Sequence, residues 1–185
     1  MRNRLVLTMT AALALLTGCS SGSSQPALST SVAVTTESAP AAATPVQGTP
    51  SQDARLTVTD IRIAHHSGFD RVVYRLGGIG GPGWRVRYTD RAIQDGSGKP
   101  IAVAGRAILQ VQILGSAYPF DSGVTEYAGP DPATDPSAPS IAGVYNTHVF
   151  EGTTQSFIGV NADRPAFSVT ASDNPARLVI DIATP

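Results

Sequence analysis

Cysteine occurs once in these 185 residues, at position 19. An internal disulfide is therefore excluded, and whatever folds must be held by its core alone. Lysine also occurs once, as Lys99, against twelve arginines, and there is no basic tract. With a formal net charge of −1, the chain has no bulk attraction for nucleic acid, and no nucleic-acid partner is expected. Histidine is limited to His65, His66 and His148. A three-histidine zinc site would need all of them, yet neighbours on a strand point to opposite faces, so no metal site is expected. Helical periodicity is missing too. No window of about ten residues or more repeats its apolar side chains at helical spacing.

The chain opens with a leader. Arg2 and Arg4 precede a mostly apolar run from Leu5 to Leu16, too short for a membrane span and laid out as a secretory signal. It ends in Leu16-Thr17-Gly18-Cys19, which resembles the bacterial lipobox. The resemblance implies removal of residues 1–18, a lipid on the thiol of Cys19 and an acylated new amino terminus. Several acyl chains hold a protein stably on a membrane where one does not, so Cys19 is the expected membrane anchor. Removing Arg2 and Arg4 leaves eleven basic residues against fourteen acids, a net of −3. Such a chain gains nothing from an anionic membrane beyond its lipid.

Residues 20–53 are Ser, Thr, Ala, Pro, Gln and Gly with three valines and one leucine, and only Glu37 and Asp53 are charged. That composition buries too little apolar surface to offset the entropy of ordering, and 19–53 is expected to be a disordered tether behind the lipidated cysteine. Its typical reach would be about 30–35 Å. Residues 54–185 suffice for one domain.

In that domain the alternation is that of strands. Leu56, Val58, Ile61 and Ile63 fit one strand with a bulge near Thr59-Asp60. Leu109, Val111 and Ile113 alternate with Ile108, Gln110 and Gln112 in another. Ile101–Val103, Val144–Phe150, Gln155–Val160, Phe167–Thr170 and Arg177–Ile182 are further candidates. Eight or nine short strands with Gly and Pro punctuation predict an all-β, antiparallel β-sandwich. Gly115 to Ala142, with five prolines and the acids Asp121, Glu126, Asp131 and Asp135, is either a tolerated insertion at a sheet corner or a flap over one sheet face.

Val72, Tyr74 and Leu76 alternate with Arg71, Val73 and Arg75; beyond a Gly/Pro loop, Trp84, Val86 and Tyr88 alternate with Arg85 and Arg87. The pattern predicts a hairpin with Leu76 facing Trp84 and Arg75 facing Arg85. Like charges across a strand pair repel by roughly some tenths of a kcal/mol, so Arg71, Arg75, Arg85 and Arg87 need counter-charges. Either Asp121, Glu126, Asp131, Asp135 or Asp181 supplies them, or the arginines bind anionic groups of a ligand by bidentate hydrogen bonds.

Catalytic signals are weak. Gly78-Ile79-Gly80-Gly81-Pro82-Gly83 fits a dinucleotide-binding pattern, but Trp84 to Tyr88 then alternate as a strand instead of opening a helix. No serine sits in a nucleophile elbow. No cofactor is expected, and the domain is not expected to be an enzyme.

Four blocks carry a resemblance. They are His66-Ser67-Gly68-Phe69-Asp70-Arg71-Val72-Val73-Tyr74, Gly81-Pro82-Gly83-Trp84-Arg85-Val86-Arg87-Tyr88, Phe150-Glu151-Gly152-Thr153-Thr154-Gln155-Ser156-Phe157-Ile158-Gly159-Val160, and Pro175-Ala176-Arg177-Leu178-Val179-Ile180-Asp181-Ile182. Together they resemble the AMIN-like domain of actinobacterial lipoproteins over nearly all of residues 55–183, and are similar to AMIN domains beside cell-wall amidases and secretins. The resemblance implies a β-sandwich that binds the cell envelope, with peptidoglycan or an associated glycan as the expected partner. The alternatives are docking on another envelope protein or carriage of a small or lipidic ligand. No amidase or secretin module follows, so a targeting role is expected to serve the lipoprotein itself. Trp84, Tyr88 and Phe157 are expected in the core. Asp70 with Arg71, and Arg177 with Asp181, are candidate ion pairs.

Overall fold

The computed structural model describes residues 37–185; the leader, Cys19 and the first part of the proposed tether lie outside them. The described residues form β1 (Val46–Gly48), β2 (Arg55–His66), β3 (Phe69–Ile79), β4 (Gly83–Thr89), β5 (Ala107–Leu114), the one-turn α1 (Pro119–Ser122), β6 (Ile141–Phe150), β7 (Thr153–Val160), β8 (Phe167–Asp173) and β9 (Ala176–Ala183). Every strand pairing is antiparallel. One sheet runs β1-β4-β5-β7-β6 and the other β2-β3-β9-β8. This is the all-β sandwich expected from the alternation. The bulge in β2 falls where the pattern slips, between Val58 and Asp60. Ile101–Val103, by contrast, forms no strand.

One core joins the sheets. Val72, Tyr74, Leu178 and Ile180 of the four-stranded sheet are buried with Val86, Leu109, Val111 and Ile158 of the five-stranded one. Burying an aliphatic side chain of this size stabilises by about 1.5–3 kcal/mol, so the alternate apolar residues of the strands settle which face turns inward. Tyr74 is fully buried. Its hydroxyl donates to Ser156 Oγ at 2.9 Å, and Ser156 in turn donates to the carbonyl of Tyr145 at 2.7 Å. The polar end of a large core residue is thereby satisfied.

The hairpin expected between β3 and β4 does not form. β3 pairs with β2 and β9, whereas β4 pairs with β1 and β5. Gly80–Pro82 carries the chain from one sheet to the other, so Leu76 does not face Trp84 and Arg75 does not face Arg85. Two strands with the same alternation serve equally well in a hairpin or on opposite sheets, since both burials turn the same residues inward.

Residues 37–53, expected as tether, are also part of the fold. Val46–Gly48 pairs with Trp84–Val86 as an edge strand, and the amide of Phe167 donates to the carbonyl of Ala42 at 2.8 Å. β1 can lie there because residue 48 is glycine: a Cβ at that position would fall 2.4 Å from the Trp84 ring.

The segment 115–142 lies along strand edges instead of covering a sheet face. The amides of Ala117 and Tyr127 donate to Leu56 and Val58 of β2, and Ala133 exchanges hydrogen bonds with Val144 of β6. β2 and β6 are the outermost strands on that side, and occupying their free backbone groups closes the sandwich. A different segment, residues 90–106, covers the outer face of β7. Gln155 accepts from the amide of Asp95 and donates to the carbonyl of Ile93, both at 3.0 Å. Phe157, expected in the core, is fully buried but on this outer face, since its neighbours Ser156 and Ile158 are the ones turned toward the other sheet. Trp84 and Tyr88 are half-buried at the margin of the core. Tyr88 donates to the carbonyl of Pro165 at 2.7 Å and meets Phe167 edge-on.

Candidate functional site

The crossover separates the four arginines onto two surfaces. Arg71 and Arg75 stand on the outer face of the four-stranded sheet, and Arg85 and Arg87 on the outer face of the five-stranded one.

On the smaller sheet the counter-charge is internal. Arg71 lies opposite Asp181 and grips it by two hydrogen bonds, Nε to Oδ1 at 2.6 Å and Nη2 to Oδ2 at 2.9 Å. Its remaining nitrogen donates to Glu37 at 2.9 Å, and its guanidinium rests 5.2 Å from the Phe69 ring centroid. The hydrogen bond to Asp181 raises the Arg71 pKa, against partial burial that lowers it, with Glu37 adding to the rise. A planar fork fully used on two carboxylates is a structural clamp. Arg75 sits opposite Arg177 on one side and Asp60 on the other, with Asp60 3.8 Å away. The expected pairs Asp70–Arg71 and Arg177–Asp181 do not form. Asp70, facing inward, accepts from the amide of Ser140 at 2.8 Å and meets His65 Nδ1 at 2.7 Å, while Arg177 donates to Ser172.

The larger sheet is different. Val86 is buried, which turns Arg85 and Arg87 outward, both exposed. Side chains two apart on a strand stand about 7 Å from each other. Neither arginine makes an ion pair with a described residue, and Arg85 has no hydrogen-bond partner among them either. The register builds two rows across the sheet: Gln47, Arg85, Gln112 and Gln155 in one, Arg87, Gln110 and Phe157 in the next. Arg87 Nε donates to Gln110 Oε1 at 3.2 Å, and Gln112 Nε2 reaches Asp95 at 3.4 Å. The 90–106 segment covers the β7 side, while the β1 side stays open as a groove of about 380 Å³ lined by Pro45, Gln47, Arg85, Arg87 and Gln112. That volume is within the range of ligand sites, about 300–1,000 Å³. Two guanidiniums without an acidic partner among the described residues offer donors to carboxylates or phosphates. The amides beside them offer both donors and acceptors to hydroxyl and peptide groups.

Of the four arginines singled out from the sequence, the groove thus brings together Arg85 and Arg87 and excludes Arg71 and Arg75. It adds Gln47 and Gln112. Gln112 was visible as an amide at an outward position of β5; Gln47 lies in a stretch whose composition signalled no structure.

Other chemistry is sparse. His65 and Asp70 form a pair, but no serine hydroxyl bonds to His65 among the described residues. Among the described residues no group of three His, Cys, Asp or Glu is placed to hold a metal ion. No helix among them is long and apolar enough to cross a membrane. The family model for the AMIN-like domain matches residues 56–184, the extent of the sandwich from β2 onward. Neither the curated proteins nor the solved structures gave a match.

Proposed function

This chain belongs to the AMIN-like domain family, and from that premise we propose that its sandwich is a non-catalytic, envelope-binding module whose ligand site is the Arg85–Arg87 groove. The observation that carries this reading is the pair of adjacent arginines left without an acidic partner among the described residues, in a domain whose other arginine clamp is closed by Asp181 and Glu37. Two like charges held on one strand repel unless a ligand neutralises them. Peptidoglycan or an associated glycan fits, because its stem peptides bring carboxylates for the guanidiniums and its sugars bring hydroxyls for Gln47 and Gln112. In the same reading Cys19 carries the lipid that holds the domain at the extracytoplasmic face of the membrane. Cys19→Ala is then expected to abolish lipid labelling and leave an uncleaved precursor.

Sedimentation of the full chain with purified cell wall tests the groove. Reversing both charges, Arg85→Glu with Arg87→Glu, should abolish co-sedimentation and leave the melting temperature nearly unchanged, because both side chains are exposed. Binding that survives the double change would place the ligand elsewhere. Unfolding of the variant would make these arginines structural.

A further inference from the structure

We propose that the cavity between the start of β2, the α1 segment and the β6–β7 turn is a second site, one that takes the pyranose rings of a neutral glycan. It is separate from the Arg85–Arg87 groove and built from different chemistry.

Large apolar side chains gather near this end of the sandwich. Phe120 is 80% exposed and Tyr118 41%. Their rings stack in parallel with centroids 5.3 Å apart, so each holds the other in place and the pair presents an exposed aromatic face, a platform and not two loose side chains. The platform is fixed from below. Thr57 of β2 donates to the carbonyl of Ala117 at 2.9 Å and shares a 2.7 Å hydrogen bond with Ser122 at the other end of α1. The turn is thus fastened to a strand on both sides of its aromatics.

Beside the platform is a cavity of about 360 Å³, lined by Arg55, Ser116, Tyr118, Asp121 and Gly152. Ser116 is already committed, donating to Ile113 and accepting from the amide of Thr154, which makes it a rigid floor. Arg55 and Asp121 are not committed. Both line the cavity, yet neither side chain bonds to the other or to any other described residue. One supplies donors only and the other acceptors only.

A sugar ring answers that combination. Its C–H face carries partial positive charge and packs on the negative face of an aromatic ring, while the hydroxyls at its rim both donate and accept. One ring can therefore satisfy Asp121 and Arg55 together. With one charge of each sign the cavity has no net pull on an anionic or a cationic ligand, and an apolar or lipid ligand is disfavoured by the cost of desolvating both charges unpaired. The cavity is at the small end of ligand sites, suited to one or two rings with the chain continuing into solvent. That the glycan belongs to a cell-wall strand rests on the envelope reading above; the site itself does not.

The test uses the full chain with Cys19→Ser, so that no acyl chain intervenes, and a soluble β-1,4-linked N-acetylglucosamine tetramer as probe. Binding is followed by saturation-transfer NMR and calorimetry. The expected result is binding that weakens about tenfold, or 1.4 kcal/mol, in Tyr118→Ala and in Asp121→Asn, with melting temperatures unchanged. Arg85→Gln with Arg87→Gln should leave this binding intact, while Asp121→Asn should leave the anionic component of cell-wall sedimentation intact. The proposal is overturned if the tetramer does not bind, or if it binds equally well to the Tyr118 and Asp121 variants. It is also overturned if the chain instead binds zwitterionic lipid vesicles and loses that binding in Phe120→Ala, since the platform would then be a membrane contact.

Discussion

Arg71 and Asp181 face each other across β3 and β9, joined by two hydrogen bonds of 2.6 and 2.9 Å although 110 residues separate them in the chain. Hydrogen bonds to charged groups contribute about 1.5–3 kcal/mol when partly shielded from water. Arg71→Ala is expected to lower stability by about 2 kcal/mol in denaturant melts. Arg71→Lys should recover less than half of the loss, because an ammonium has no fork to match the carboxylate. Cell-wall sedimentation by either variant should be unchanged once it is folded.

Alkaline pH should unfold the domain through its tyrosines. Burial pushes the Tyr74 phenol far up. Tyr88 is pushed up to about 12, first by burial, with the charge of Arg164 working the other way. Both folded values are above the ordinary value of about 10. The associated stability is complete below about pH 10 and is lost as pH rises toward and through about 12. Ultraviolet titration should show tyrosine ionisation coinciding with unfolding. Tyr74→Phe should cost about 1 kcal/mol at neutral pH and yet move the alkaline transition upward.

Residues 37–48 should contribute measurably to stability. A chain starting at Ala54 lacks β1, the Ala42–Phe167 hydrogen bond and the Glu37 contact with Arg71. It is expected to be about 1–3 kcal/mol less stable than one starting at Glu37, mainly because Val46 no longer packs against the core. Equal melting curves for the two would show that β1 is only a passenger.

Replacing residues 117–131 with a short Gly/Ser linker should expose the backbone of β2, whose Leu56 and Val58 carbonyls now accept from Ala117 and Tyr127. An open edge of alternating apolar residues pairs with other copies. Concentration-dependent association by light scattering is expected, with little change in far-ultraviolet circular dichroism.

Strands were legible residue by residue, but their partners were not. Leu109, Val111 and Ile113 declare β5 because alternate burial leaves a period of two in any sheet. The same period says nothing about which strand lies alongside, and Ile79 to Gly83 reads alike as a hairpin loop or as a crossover. The acids held a clue: Asp60 and Asp181 sit on the strands that flank Arg75 and Arg71, so the counter-charges of β3 were already in place without the flap. β1 escaped notice for another reason. Three residues do not move the composition of a Ser/Thr/Pro/Ala stretch, and what orders them is an existing edge at Trp84–Val86, which only the folded domain provides. Arg85 and Arg87 were legible as outward-facing cations; that they lack acids on their own sheet depended on the pairing, and so on the tertiary fold.

β9 comes after every other strand of the domain, yet it fills the gap between β3 and β8. Made amino terminus first on a ribosome, the chain presents β2 and β3 long before residues 176–183 exist to join them. Until then the inner edge of β3 is bare and the core has only part of its wall. Pairings over such long sequence distances are slow to form. The four-stranded sheet can therefore close only when its last strand arrives, and until then the bare edge of β3 is the part of the domain most in need of protection.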